Sequence, residues 1–185
     1  MKIVVCIKQV PNTSEVKLDP VTGTLIREGI PSIINPDDKA GLEAALRIKE
    51  KTGAKVCAIT MGPPQAEKAL REALAMGVDE AILVTDRKFG GADTWATSFT
   101  LAAAIRKLNY DLIITGRQAI DGDTAQVGPQ IAEHLKLPSV SYVEGIQVKD
   151  GHLIVKRQYE DRYHMIKVHF PCLITALSEL NEPRY

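Results

Sequence analysis

The stretch "GRQAIDGDTAQVGPQIAEHL", residues 116–135, holds the residue types best placed to do chemistry. Asp121 and Asp123 are two carboxylates, the raw material of an acid–base pair. An offset of two residues in a turn sets no useful carboxyl separation, so catalysis by this pair is not expected. Carboxylates beside a phosphate would repel it unless they turn away toward backbone donors. The same stretch is also a helix start. Pro129 is tolerated only near such a start, which places it at about residues 125–128. Asp123 or Thr124 is then the expected N-cap. The free N–H groups of Ala125, Gln126, Val127 and Gly128 would point off the helix end, where dipole and donors together attract phosphate. Gly122 and Ala125 leave room for close approach. Two readings stand at this point: a phosphate site, or a capped helix and nothing more.

Elsewhere the chemistry is sparser. Cys6, Cys57 and Cys172 each lie in an apolar run without a CxxC pair, which reads as buried thiols in a reducing cytoplasm. The four histidines show no metal spacing. No GxGxxG follows the first strand and no Walker A sequence occurs, so any nucleotide must use another loop. "GGADT" reads as a helix entry with Asp93 or Thr94 as cap. "TMGPPQ" is a strand end in which Pro63 or Pro64 starts a helix, with Met61 available for packing on a ligand. Trp95 is expected in the core, and Lys49–Lys51 on a solvated face.

These loops need elements to position them. "KIVVCIK", "AKVCAITMG", "EAILVTD" and "DLIITG" are short apolar runs suited to parallel strands buried on both faces. Helical patterns separate them: "INPDDKAGLEAALRIKEKTG", with Asn35 or Asp37 as cap and Pro36 in the first turn, then "PPQAEKALREALAMG" and "WATSFTLAAAIRKLN". "VKLDPVTGTLIREG" reads as a hairpin turning at "DPVTG". From residue 139 the chain is strand-rich, with "KDG" as a hairpin turn and "CLITAL" as a further central strand. The β–α alternation argues for a doubly wound parallel sheet with added antiparallel strands. In such sheets ligands sit outside the carboxyl ends of the strands, so the loops "KQVPNTSE", "TMGPPQ", "TDRKFGGADT" and "GRQAIDGDTAQVG" should meet in one crevice. "SELNEPRY" is polar and turn-like and closes no recognisable element. Lys plus Arg equals Asp plus Glu, at 23 each, so no net field favours nucleic acid or an anionic membrane surface. No signal peptide opens the chain, and no apolar run nears the ~20 residues of a membrane span. A soluble, cytoplasmic protein is expected.

Over its whole length the sequence resembles the beta subunit of electron transfer flavoprotein. "GRQAIDGDTAQVGPQIAEHL" carries the likeness most specifically, with "CIKQVP", "INPDDKAGLEAALRIKE", "AITMGPP" and "REALAMGVDEAILVTD". The segment from Val155 is similar to the family's signature, with matches at Val155, Arg157, Glu160, Asp161, Pro171 and "LIT". Arg162 and His164 depart from it. The resemblance implies a Rossmann-like fold of the adenine nucleotide alpha-hydrolase type, forming one nucleotide-binding domain over residues 1–185. The family's C-terminal recognition loop and arm would be absent from it. It implies pairing with an alpha subunit that carries a redox-active FAD, while the beta subunit binds either structural AMP or a second FAD. That second FAD takes hydride from NADH and bifurcates the electrons toward ferredoxin or flavodoxin and an acyl-CoA dehydrogenase or related dehydrogenase.

The AMP-binding branch typically reads D-D-D-x-N-Q-T-G where this chain reads Asp121 to Gly128. Gly122, Ala125 and Val127 remove polar bulk there, and the long early hairpin also resembles the bifurcating branch, so FAD is the expected ligand and AMP the alternative. By matching position, adenine or phosphate contacts would come from Cys6, Asn35, Met61, Ala119, Gly122, Ala125, Gln126 and Val127. Asp123 and Thr124 would shape the loop. Lys8 to Pro11 and Phe89 to Thr94, with Gly90, Asp93 and Thr94 among them, would line the flavin side. A stand-alone ATP-binding stress-type protein of the same superfold is a further alternative, but its late Gly-rich phosphate loop is not seen.

Overall fold

The structure, a computed structural model, describes residues 1–12, 17–23, 25–26 and 29–185. Its elements in chain order are β1 (Lys2–Cys6), β2 (Gln9–Pro11), β3 (Lys17–Leu18), β4 (Leu25–Ile26), β5 (Ser32–Ile34), α1 (Pro36–Thr52), β6 (Lys55–Met61), α2 (Glu67–Met76), β7 (Glu80–Val84), α3 (Thr94–Ile105), β8 (Leu112–Gly116), α4 (Val127–Leu135), β9 (Ser139–Lys149), β10 (His152–Gln158), β11 (Tyr163–His169) and β12 (Cys172–Ala176).

β1 shows why the sheet is central. Ile3 and Val5 pack into one apolar cluster and Val4 and Cys6 into another, all buried. Strand side chains alternate between faces, so both faces of β1 must be covered. α1 and α2 cover one face through Leu42, Leu46, Leu70 and Met76. α3 and α4 cover the other through Leu101, Ile105 and Ile131. Eight strands form the sheet in the order β11-β10-β9-β12-β8-β1-β6-β7. β7, β6, β1, β8, β12 and the start of β9 run parallel, and β9, β10 and β11 are antiparallel. "CLITA" is thus the central strand expected from its apolar run, buried at all five positions.

The chain moves outward from β1 to β6 and β7, then returns to place β8 on the other side of β1. That reversal opens a gap above the carboxyl ends of β1 and β8. The early hairpin is present as β3 paired with β4, and Val16, Thr24, Arg27 and Glu28 of that stretch lie outside the described residues. Gln9–Pro11, expected as open loop, instead pairs with β5 and buries Val10.

Several local expectations meet a different outcome. Trp95 is 58% exposed, not core, and stacks on exposed Phe99 at 5.2 Å between ring centroids. Of the Lys49–Lys51 run, Glu50 and Lys51 are exposed as expected, while Lys49 is partly buried and pairs with Asp79 at 2.8 Å. The polar end of the chain folds back on α1, where Arg184 pairs with buried Glu43 at 2.8 Å and with Glu50 at 2.5 Å. Burial works to raise the Glu43 pKa, but hydrogen bonds from Arg184 and Arg47 overcome it and hold the carboxyl at about 2. No described helix is long and apolar enough to cross a membrane.

Candidate nucleotide crevice

The gap between β1 and β8 is the mouth of a crevice of about 1180 Å³, somewhat above the ~300–1,000 Å³ usual for ligand clefts. Four segments line it: Cys6–Lys8 after β1, Met61–Pro64 after β6, much of 85–94 after β7, and much of 115–128 after β8. These are the loops that the topology was expected to bring together.

The floor is built around Asp38. Its Oδ2 accepts from the Lys8 N–H at 2.8 Å and its Oδ1 from the Gly116 N–H at 2.9 Å. One carboxylate from the first turn of α1 therefore ties the carboxyl end of β8 to the residues just after β1. Burial pushes the Asp38 pKa up to about 7, against the lowering effect of those same hydrogen bonds. Gly116 is required here, because a Cβ would run into Asp38 Oδ1 and come within 2.8 Å of its backbone nitrogen. Sequence reasoning missed Asp38. A signal was there: it stands four residues before Leu42, on the buried face of α1.

The loop from Gln118 to Gln126 is shaped from behind. Asn35, fully buried, accepts from the Ile120 N–H at 3.0 Å and donates to the Gln118 carbonyl at 2.8 Å. Asn35 stands at the N-cap position of α1 but makes no side-chain cap bond. Nor does it line the crevice; it braces the loop that does. Asp123 and Ala125 take left-handed φ of 49° and 54°. With the chain bent in this way, the first helical residue is Val127 and the N-cap position falls to Gln126, without a side-chain cap. The expectation of Asp123 or Thr124 as cap is therefore corrected. Asp123 instead accepts from the Gln118 amide at 3.0 Å, and Asp121 pairs with Lys8 at 2.8 Å. Both carboxylates are turned to partners of their own.

The consequence is a row of uncommitted donors. The N–H groups of Thr124, Ala125, Gln126, Val127 and Gly128 find no partner among the described residues. These residues line the crevice. A Cβ added at Gly122 would meet nothing within 4 Å. At Gly128 it would meet the Thr115 hydroxyl, with Thr175 Cγ2 at 2.8 Å, so α4 can sit this close to β8 and β12 only because residue 128 is glycine. Helix start, spare N–H groups and open space together can hold an anion.

Of the expected site residues, Cys6, Lys8, Met61, Gly90, Asp93, Thr94, Ala119, Gly122, Asp123, Thr124, Ala125, Gln126 and Val127 meet in this one lining, and Asn35 lies behind it. Gln9, Val10 and Pro11 do not line it. Asp93 caps α3 by accepting from the Ala96 N–H at 2.8 Å. Burial, and then the nearby Asp38 charge, push the Cys6 thiol pKa far up, so Cys6 serves as an apolar wall. Arg87 and Arg117 join the lining unforeseen. Among the described residues no cluster of His, Cys, Asp or Glu could hold a metal ion.

Comparison with known proteins gives a consistent picture. The family model described as electron transfer flavoprotein domain matches residues 22–185. The electron transfer flavoprotein subunit beta of Clostridium acetobutylicum is 64% identical over 185 residues, covering all of this chain and 71% of that protein. The caffeyl-CoA reductase-Etf complex subunit CarD of Acetobacterium woodii is 64% identical over 187 residues, with 71% of that protein covered. The protein FixA of Azotobacter vinelandii is 50% identical over 192 residues, with 68% covered.

Proposed function

The chain belongs to the electron transfer flavoprotein family, and on that premise we propose that its crevice holds FAD, as the beta subunit beside an FAD-carrying alpha subunit. In this reading the pair passes electrons from NADH to ferredoxin or flavodoxin and to an acyl-CoA dehydrogenase or related dehydrogenase, by flavin-based bifurcation. The observation that supports it is the loop 119–127: small side chains, open space at Gly122, and backbone donors with no other use.

The residues fit a dinucleotide. Lys8, one of the cations in the lining, is already paired with Asp121, so a pyrophosphate would rest chiefly on the N–H groups of Ala125 to Gly128 and on the α4 dipole. Ala119 and Gly122 admit it without contact from bulky groups. Cys6 and Met61 would wall the adenine half. Lys8, Gly90, Asp93 and Thr94 would border the flavin half. FAD supplies the acceptance of a hydride and the release of its electrons one at a time. The chain would supply position, exclusion of water by the Cys6 and Met61 walls, and an electrostatic setting in which the Asp121 charge is paired with Lys8 and Asp123 accepts from Gln118.

The deciding experiment is to purify the chain with its alpha subunit, denature the complex, and identify and count the released nucleotide. Two FAD per heterodimer, with flavin bleached by NADH, is the expected result. One FAD with one AMP overturns the reading in favour of a structural nucleotide.

A further inference from the structure

α3 and α4 face one another with a ladder of polar side chains, of which Ser98, Gln130 and His134 have no part in the site above. On α3 these are Thr94 and Ser98, four residues apart. Opposite them are Gln126, Gln130 and His134, also at intervals of four, so each series stands on one helix face. The rungs are continuous. His134 Nε2 lies 3.2 Å from Ser98 Oγ. The single Ser98 proton is shared between the Trp95 carbonyl at 2.9 Å and Gln130 Oε1 at 3.2 Å, so toward His134 the hydroxyl can only accept, and His134 Nε2 is the donor. Gln130 Nε2 donates to Thr94 Oγ1 at 3.4 Å, and Thr94 donates to Gln126 Oε1 at 3.1 Å. Ser98 is wholly buried. Only the last two residues, Thr94 and Gln126, line the crevice.

Each member of the ladder has a limited set of roles. Glutamine offers a carbonyl at one end and an NH₂ at the other, so a partner at one end fixes which end remains. With the Gln126 carbonyl engaged by Thr94, its NH₂ is the end left for a ligand. We propose that Ser98, Gln130 and His134 are positioning residues that hold the Gln126 amide with its NH₂ toward the crevice, where it donates to a phosphate oxygen of the bound nucleotide. The proposal rests on the nucleotide reading above and deepens it. A free glutamine would have to be ordered on each binding event, and a preset one would not. His134 also meets Trp95 and Phe99 edge-on, at 5.8 and 5.7 Å. His134→Phe therefore keeps an aromatic ring in that place and removes only the donor.

The test uses the complex with the alpha subunit, stripped of beta-site nucleotide and titrated with FAD, and separately with AMP. His134→Phe and Ser98→Ala should each raise the dissociation constant about five- to tenfold, the scale of one lost hydrogen-bonding partner. His134→Gln, which restores a donor, should return it to within about twofold of the parent. Gln126→Ala should weaken binding to a similar degree, and adding His134→Phe to it should cost nothing more, because the two changes then break one chain. Thr100→Ala is the control, since among the described residues that hydroxyl bonds only the Ala96 carbonyl of its own helix. Parent-like binding by both His134→Phe and Ser98→Ala overturns the proposal while leaving the nucleotide reading intact. So does a full further loss when His134→Phe is added to Gln126→Ala, which would mean that the ring acts through packing. A parent complex that binds neither FAD nor AMP overturns the nucleotide reading, and the proposal with it.

Discussion

Two helix starts face the same crevice and are built in opposite ways. α3 begins after Asp93, whose backbone is extended (φ −75°, ψ −176°) and whose carboxylate accepts from the Ala96 N–H. α4 begins after Gln126, whose backbone is already helical (φ −106°, ψ −31°) and whose side chain makes no cap. An extended backbone aims a side chain at the N2 and N3 donors, and a helical one does not. The first helix thus commits its own carboxylate to its donors, and the second leaves its donors unspent. The second position of each helix differs as sharply. It is Trp95 on α3, turned outward, and Gly128 on α4, pressed on Thr115 and Thr175. What this teaches is that, of the two helix starts, only that of α4 keeps its first N–H donors without a partner among the described residues, which is the arrangement an anion site needs.

The strongest way to break the contrast is to place polar groups on the approach to α4. Gly122→Asp with Ala125→Asn should lower FAD affinity at least about 100-fold, roughly 3 kcal/mol, read as flavin content of the complex with the alpha subunit. Folding should be spared: a Cβ at residue 122 has open space, and asparagine tolerates the left-handed φ at residue 125. Unchanged flavin content would defeat the assignment to FAD. Next in size is Gly128→Ala, which forces α4 off the sheet and should cost about 2–3 kcal/mol in chemical denaturation. The matching change on α3, Trp95→Ala, removes a largely exposed ring and should cost under about 0.5 kcal/mol. Similar losses from the two would erase the distinction.

Asp38→Asn probes the floor that both helices share. It sets an NH₂ against one of two N–H donors and should cost about 1–2 kcal/mol. Its pH signature is sharper than its size. The folded chain holds the Asp38 proton up to about pH 7, whereas an unfolded chain releases it near the ordinary value of 3.8. The folded form therefore binds more protons between those values, and stability from this group is full below about pH 4 and lost as pH rises to 7. Thermal melts across pH 4–8 should show that slope in the parent and not in the variant. The smallest effects compare the caps directly. Asp93→Ala should cost about 1 kcal/mol, whereas Thr124→Ala should cost under about 0.5 kcal/mol, because Thr124 caps nothing. Equal melting-temperature shifts would show that α4 has a cap after all.

Much of this was legible in the residues. The apolar runs gave the strands, and Pro36, Asp93 and Pro129 marked helix starts within a residue or two. Four loops at strand ends had to share one crevice once the order reversed. What stayed hidden depended on contacts distant in sequence or on backbone angles. Asn35 looked like a cap, because its true partners are 83 and 85 residues away. Asp123 and Thr124 looked like caps, because composition does not announce that Asp123 and Ala125 bend the chain left-handed. Trp95 looked like core, because a single large ring carries no sign of which helix face it will occupy. Asp38 went unremarked, because a buried carboxylate is read as solvated until the groups that surround it are known.

The Asn35 clasp also has a consequence in time. A binding loop held by its own neighbours can take shape as soon as it leaves the ribosome. This one cannot. Its bend depends on Asn35, laid down 83 positions earlier and leading into a helix that must first dock across β1, β6 and β8. Closing so long a span is entropically slow compared with local turns. The loop must therefore take its shape late in folding, and lose it early whenever α1 loosens from the sheet.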